Sequence, residues 1–199
     1  MTLSRNTLSS FRLKKSSVFL KVSAMQYLPT AFTQLFFAWK LYNYALEGQI
    51  SRDALDITLT FQSDDHKMIL VLPDRIFEND DDFILAFENN LSISFGAAAI
   101  TLDRSREEAG HRLPNSIETE AEHCIALVYL IRCAFAHDIA EPRWKIKDRF
   151  RRLYSFGGLS FDLTKLDGQK FDYLKIGGPE RLIAIKDFVV SHLLIGGHL

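Results

Sequence analysis

The sequence lacks an excess of either charge, contains only two cysteines and has no long hydrophobic run. Its 24 Lys and Arg residues nearly balance 25 Asp and Glu residues. This balance excludes binding of a polyanion through net charge alone, so any nucleic-acid contact has to come from a local patch. Cys124 and Cys133 have the spacing of neither a zinc knuckle nor a redox Cys-x-x-Cys pair. No stretch approaches the roughly 18 uninterrupted apolar residues of a membrane span. We therefore expect no membrane partner and a cytoplasmic protein.

The sequence also lacks the motifs of several enzyme classes. It contains no Gly-rich phosphate loop of the Walker type and no Gly-x-Ser-x-Gly nucleophile elbow. No Asp, Glu or Cys stands at metal-ligand spacing from His66, His123, His192 or His198. We therefore expect neither a metal site nor a cofactor.

Length and composition fit a single domain spanning residues 1–199. Hydrophobic residues make up 47% of the chain and charged residues 25%, which excludes a disordered chain. We divide the chain into a basic N-terminal arm (1–28), a helical core (29–141), a basic segment with a hairpin (142–178) and a C-terminal helix (179–195). For the arm, a solvated segment is favoured over a targeting signal, because Lys21 interrupts its one apolar stretch.

Hydrophobic periodicity predicts four helices. The first covers 31–47, with Pro29 and Thr30 as its start signal, and the second covers about 82–102 after an acidic cap. The third begins with Asn115 as N-cap and ends near His137, and the last covers about 180–194. Between the second and third helices, the polar stretch 104–115 is predicted to be an exposed loop.

Turn signals predict one or two small hairpins between these helices. One is expected within 56–72, and another around the Asp-Gly turn at 165–169, with strands at 159–163 and 171–176. The small residues at 96–99 would let another helix approach closely. The predicted fold is therefore mainly α, a helical bundle with one or two small β-hairpins (α+β overall).

Arg132 and His137 combine a permanent cation with a titratable ring at the end of the third predicted helix. A guanidinium group can hold two phosphate oxygens, and an imidazole can move a proton to or from a ribose 2′-hydroxyl. Five helical positions separate the two side chains by about 140°. They converge only if the last turn unwinds near His137, or if a second subunit brings its own copy alongside.

The same spacing occurs at Arg106 and His111, which shows how easily chance produces it. The context differs, because Arg132 interrupts an apolar run whereas Arg106 lies in the predicted loop. An arginine within an apolar run has to emerge at a bundle edge, pair with a carboxylate or contact a ligand, because its burial alone is very costly.

The stretch Ile-Arg-Cys-Ala-Phe-Ala-His-Asp at 131–138, with Pro142 and Trp144 downstream, resembles the signature of HEPN (higher eukaryotes and prokaryotes nucleotide-binding) domains. These domains are small helical bundles with an Arg-x(4–6)-His motif. Many are metal-independent endoribonucleases that dimerise so that two motifs form one cleft, and others only bind nucleotides or RNA. The resemblance covers about 124–144 by motif, and the flanking helices only loosely.

The resemblance implies a homodimer in which Arg132 holds the scissile phosphate and His137 acts as general acid or base. Active members commonly carry Asn, Asp or His directly after the arginine, whereas this chain carries Cys133. A structural role remains the alternative: Arg132 would then pair with an acid, and His137 would cap the last carbonyls of its helix.

Six cations follow the motif within ten residues and are interleaved with aromatic side chains. They favour a single-stranded RNA site, in which cations track phosphates and aromatics stack on bases. The predicted RNA-binding residues are Arg143, Trp144, Lys145, Lys147, Arg149, Arg151 and Arg152. In the alternative interpretation, Trp144, Ile146 and Phe150 pack inward and the cations form a solvated face.

These features lead us to expect a HEPN-like, RNA-binding homodimer, with metal-independent endoribonuclease activity as the hypothesis to test. Two other functions remain open. One is a non-catalytic dimeric interaction or regulatory module, and the other is a sensor that binds a nucleotide without cleaving RNA.

Overall fold

The computed structural model describes residues 23–55, 60–62, 69–71, 75–139 and 141–194. Within these ranges the protein is a helical bundle with two antiparallel two-stranded sheets, which confirms the predicted fold class. The elements are α1 (Ala24–Leu46), α2 (Arg52–Leu55), β1 (Thr60–Gln62), β2 (Ile69–Val71), α3 (Asp80–Glu108), α4 (Glu120–Phe135), β3 (Leu153–Phe156), β4 (Leu159–Asp162) and α5 (Pro179–Val189). Short 3₁₀ turns cover Asp148–Phe150 and Tyr173–Ile176, and a π turn (Val190–Leu194) follows α5.

Helix α1 begins at Ala24, seven residues before its predicted start, so Pro29 lies inside the helix. The Ser23 hydroxyl caps the helix by accepting the N–H of Met25 at 3.2 Å. The Glu108 carboxylate, at the end of α3, accepts the Ser23 hydroxyl at 2.8 Å and the N–H of Ala24 at 2.6 Å. This tie to α3 explains the early start. The boundary of the basic arm at residue 28 is therefore wrong, and residues 1–22 of the arm lie outside the described residues.

Helix α3 runs six residues beyond its predicted end. Asn79 caps it by accepting the N–H of Asp82 at 2.8 Å. The predicted exposed loop is wrong over residues 104–108, where Ser105 and Arg106 are buried. The last turn remains helical because Asp103 and Arg106, three positions apart, neutralise each other inside the bundle.

Among the described residues, α3 is the one helix that is long and apolar enough to cross a membrane, by length and composition only. The core helix of a soluble bundle can have the same length and composition. Helix α3 packs against α1, α4 and α5.

Helices α3 and α4 cross closely at Gly96, which agrees with the prediction from the small residues there. A Cβ atom at Gly96 would lie 2.6 Å from Cδ1 of Phe135, near the end of α4. The Phe135 ring stacks on Phe95 of α3 at 5.5 Å and meets Phe171 edge-on at 4.7 Å. This aromatic cluster fixes the C-terminal end of α4 against the core.

Helix α4 begins with Thr119 as its N-cap, and the predicted cap at Asn115 is wrong. The Thr119 hydroxyl accepts the N–H of Glu122, and the Glu122 carboxylate accepts the N–H of Thr119 at 2.8 Å. This reciprocal pair is a capping box. It sets the start of the helix in place of the similar Asn115 and Glu118 pattern four residues earlier. Three hydrogen bonds from Thr119 and Glu118 lower the pKa of Glu122.

The first predicted hairpin is confirmed. Thr60, Phe61 and Gln62 pair with Val71, Leu70 and Ile69, respectively. The predicted turn at 63–65 lies outside the described residues.

The second hairpin is present, but the prediction of its turn at 165–169 is wrong. Its strands β3 and β4 are joined by Gly157 and Gly158, both with positive φ, and Phe156 pairs with Leu159. Two such residues suit a tight two-residue hairpin loop. The 171–176 stretch, predicted as a strand, contains a 3₁₀ turn instead.

The Asp167-Gly168 turn folds back on the segment that follows α4. The backbone N–H of Trp144 donates to the Gln169 carbonyl at 3.0 Å, and the backbone N–H of Gly168 donates to the Trp144 carbonyl at 2.9 Å. The Asp167 carboxylate accepts the N–H of Ile146 at 2.8 Å. The turn thereby faces the end of α4 across a groove.

Candidate functional site

The end of α4 presents three side chains along one face. Tyr129, Cys133 and His137 follow one another at four-residue spacing, and side chains at this spacing share a helix face. The helix ends at Phe135, and the Ala136 N–H still bonds to the Arg132 carbonyl at 3.0 Å. His137 therefore lies just beyond the last turn and is exposed.

This face lines a groove of about 530 Å³. One wall is formed by the α4 face, and the other by the segment 145–151 and the Asp167-Gly168 turn. The groove residues are Tyr129, Cys133, His137, Lys145, Ile146, Lys147, Asp148, Arg151 and Asp167. The motif histidine and part of the basic segment therefore share one concave surface.

The charges in the groove are mixed. Lys145, Lys147 and Arg151 supply three cations against the two carboxylates Asp148 and Asp167. Arg151 is paired with both carboxylates, at 2.7 Å to Asp167 and 3.4 Å to Asp148. The hydrogen bond from Ile146 and the pairing with Arg151 lower the pKa of Asp167. The two lysines, which are exposed, are the groove cations best placed to meet an added anion.

Tyr129 and Cys133 form the inner part of the α4 face. A hydrogen bond between the Tyr129 hydroxyl and Cys133, together with burial, raises the pKa of Tyr129. Both side chains are half-buried. Cys133 thus contributes a thiol to the groove that His137 also lines.

Arg132 does not belong to the residues that line this groove. Its side chain is 41% exposed, and its Nε lies 3.9 Å from Oδ2 of Asp103 on α3. Its Nη1 lies 3.9 Å from the Cys133 Sγ. Arg132 therefore combines two of the environments expected for an arginine in an apolar run. It lies at a bundle edge, and it has a carboxylate partner. Arg132 and His137 do not meet in the same groove of one chain.

Asp103 is shared by two arginines. Its carboxylate is 2% exposed, and its Oδ1 accepts Nη2 of the fully buried Arg106 at 2.6 Å and Nε at 3.0 Å. Burial raises the pKa of Asp103, and the Arg106 and Arg132 guanidinium groups oppose that rise. Arg106 is the tight partner, whereas Arg132 is the distant one and keeps an exposed guanidinium.

The second Arg-x-x-x-x-His pattern is structural. Arg106 donates to the His111 carbonyl as well as to Asp103. The His111 ring, through Nε2, contacts the Leu193 carbonyl at 2.6 Å and so ties the end of α3 to the C-terminal π turn. Spacing alone thus does not distinguish the Arg106–His111 pattern from the Arg132–His137 pattern. The burial of the two arginines does, because Arg106 is fully buried and Arg132 is partly exposed.

The aromatic residues of the basic segment pack into the core. Trp144 is fully buried against Phe171, with ring centroids 4.9 Å apart, and Phe150 and Tyr154 are buried too. The prediction that a base stacks on Trp144 is therefore wrong, because no face of the indole is accessible. The alternative interpretation, in which the aromatics pack inward and most of the cations face solvent, describes this segment.

The remaining cations of the segment lie outside the groove. Arg143 is exposed and lies 3.5 Å from Glu141, and Arg149 is exposed over the Phe150 ring at 4.4 Å. Arg152 donates to the Ile117 carbonyl at 3.0 Å and is half-buried. Of the seven predicted RNA-binding residues, the structure brings Lys145, Lys147 and Arg151 together with His137.

Sequence reasoning missed Asp103 and Asp167. Asp103 lies at the boundary of the predicted loop, and the only available signal was its i,i+3 spacing to Arg106. The sequence predicts Asp167 only as part of a hairpin turn, and its pairing with Arg151 depends on a chain reversal that no local pattern shows.

Among the described residues, no group of three or more His, Cys, Asp or Glu side chains forms a metal-binding cluster. Comparison of the chain with protein-family models, curated proteins and solved structures gives no match. The likeness to HEPN domains therefore depends on the motif residues themselves.

The two arginines that share Asp103 should differ sharply when replaced. Arg106→Met leaves the buried Asp103 carboxylate without its tight partner, so we expect the free energy of unfolding to fall by about 3 kcal/mol or more. Arg132→Met removes a distant, partly exposed charge, so we expect a change below about 1 kcal/mol. Urea denaturation of the two variants measures both values. Equal losses would contradict the assignment of Arg106 as the structural partner.

Proposed function

We propose that this chain is a cytoplasmic, HEPN-like RNA-binding protein that acts as a homodimer and cleaves RNA without a metal ion. The observation that carries the proposal is the groove at the end of α4. It joins the exposed His137 to two exposed lysines, Lys145 and Lys147, on one concave surface. These are the groups needed to hold a phosphate backbone beside a proton-transferring ring.

The proposed chemistry uses the ribose 2′-hydroxyl as nucleophile. His137 removes the proton from this hydroxyl, whose oxygen attacks the adjacent phosphorus atom. The bond to the 5′-oxygen breaks, the leaving oxygen takes up a proton from water, and the protonated His137 returns its proton to the solvent. The product strand then ends in a 2′,3′-cyclic phosphate. Arg132 stabilises the charge that develops on the phosphate oxygens.

A second copy of the chain completes the site in this proposal. Arg132 lies at the bundle edge and is not among the residues that line the groove with His137. A two-fold interface at the end of α4 would set Arg132 of one copy beside His137 of the other. The exposure of Arg132 supports this arrangement, because an arginine whose side chain is 41% exposed remains able to contact a phosphate.

RNA binding should depend on the groove lysines and on salt. Lys147→Ala should weaken binding of a single-stranded RNA oligonucleotide and reduce the slope of log affinity against log salt by about 1, because one phosphate contact is lost. Fluorescence anisotropy over a range of salt concentrations measures both quantities. Lys40→Ala, at an exposed lysine of α1, is the matched control and should change neither. A salt-independent affinity would remove RNA as a partner of this groove.

Cleavage should require both motif residues. Arg132→Ala and His137→Ala should each abolish cleavage, whereas His192→Ala, at an exposed histidine outside the groove, should retain it. The reaction is monitored with end-labelled RNA, and the product end is identified by mass spectrometry. EDTA should have no effect, and a 2′-deoxy substitution at the scissile nucleotide should block the reaction because the nucleophile is missing.

Unchanged cleavage by both motif variants would contradict the catalytic assignment. If the wild-type protein binds RNA but does not cut it, the RNA-binding part of the proposal stands alone. Thermal melts of all variants serve as the control for folding.

A non-catalytic interaction module is the second candidate. It is favoured by the exposed aromatic side chains on α1, which include Tyr27 and Phe37 at 54% and 55% exposure. It is also favoured by the contact of Arg132 with Asp103, which gives this arginine a structural partner. In this case Arg132→Met should destabilise the fold by more than about 1 kcal/mol, and RNA should not bind.

A further inference from the structure

A second and larger cleft lies apart from the α4 groove. It is bounded by α1, α3 and the segment 169–180 that leads into α5, and its volume is about 1130 Å³. None of its lining residues belongs to the α4 groove. Its size is sufficient for a small organic molecule.

Three half-buried aromatic side chains line this cleft. Trp39 and Tyr42 lie three positions apart on α1, so they share one face of the helix, and Tyr173 faces the cleft from the segment before α5. All three pack against the hydrophobic core. The Tyr173 ring lies 5.9 Å from the buried Phe95 ring, which fixes its position. The aromatic surfaces are therefore preformed, and a ligand would not have to order them.

Carboxylates lie beside these rings. Glu88 of α3 is exposed in the cleft, and Asp172 is held in place because it accepts the N–H of Leu174 at 2.9 Å. Burial raises the pKa of Tyr173, and the negative charges of Glu88 and Asp172 and the Tyr42 phenol raise it further. Glu88, Asp172 and Tyr42 line the cleft together with Tyr173.

The groups that would attract an anion are largely engaged within the protein. The N–H groups of Gly177 and Gly178 donate to the Leu174 and Tyr173 carbonyls, at 3.0 and 2.7 Å. The Glu180 carboxylate lies directly over Gly178 at the start of α5.

The two lysines of the cleft differ in their contacts. Lys175 donates to the Gln169 side chain at 2.7 Å, and Lys170 is exposed. The lining thus offers three carboxylates, Glu88, Asp172 and Glu180, against these two lysines. Carboxylates beside preformed aromatic faces favour a cation over an anion.

We propose that this cleft binds a small organic cation whose alkylated ammonium group packs on Trp39, Tyr42 and Tyr173 and pairs with Glu88. The faces of the aromatic rings carry the negative part of the ring quadrupole, and alkyl groups on nitrogen lower the cost of removing the cation from water. Glu88 adds charge attraction at the rim of the cleft. This site is independent of RNA binding and of the α4 groove.

Choline and its neutral isostere 3,3-dimethyl-1-butanol test the proposal, because they share a shape and differ in charge. In isothermal titration calorimetry, choline should bind saturably and at least about three-fold more tightly than the isostere. The fluorescence of Trp39 should change on binding, whereas Trp144 is fully buried and should contribute no change. Equal affinity for the two molecules, or no saturable binding of choline at millimolar concentrations, would overturn the proposal.

Two charge variants locate the binding. Glu88→Gln should weaken choline binding by about three-fold or more and leave binding of the isostere unchanged. Lys170→Gln is the matched control at an exposed cation of the same cleft, and choline should bind to it equally well or more tightly. Unchanged choline affinity in Glu88→Gln would overturn the pairing. Stronger binding of inorganic phosphate than of choline, lost in Lys170→Gln, would show an anion site instead.

Discussion

The buried Asp103 carboxylate is the constraint on which the arrangement of the candidate site depends. A carboxylate that is 2% exposed has to be neutralised, and Arg106, three positions later on the same helix, lies at 2.6 Å and does so. This pair keeps the last turn of α3 helical inside the bundle. Because Arg106 satisfies Asp103 closely, Arg132 stays at 3.9 Å with 41% of its side chain exposed. The buried pair thus leaves one guanidinium at the bundle edge beside the end of α4.

The end of α4 consequently has two distinct surfaces. One carries Tyr129, Cys133 and His137 and lines the groove, whereas the other carries Arg132 and faces α3. The packing of Phe135 against Phe95 fixes the backbone at this end of the helix. In the proposed RNA-cleaving protein, the two halves of the motif meet when two copies associate.

The sequence predicts the helical bundle well, because the apolar periodicity of α1, α4 and α5 is strong and local. It also identifies Arg132 and His137 as the candidate pair, since a cation within an apolar run is conspicuous. Prediction from the sequence fails where tertiary contacts determine the local structure. The polar end of α3 resembles a loop until Asp103 is seen to neutralise Arg106. Trp144 resembles a stacking residue, but the fold uses its large apolar surface to fill the core. The orientation of Arg132 follows from Asp103, which no local pattern links to it.

The proposal that Arg132 and His137 act across two subunits can be tested by mixing two inactive variants. Purified Arg132→Ala and His137→Ala proteins are combined, subunit exchange is verified by native mass spectrometry, and RNA cleavage is measured. In a mixed dimer, one site regains an intact arginine from one subunit and an intact histidine from the other. With random exchange, activity should recover to about a quarter of the wild-type value. No recovery, with mixed dimers present, would contradict the claim.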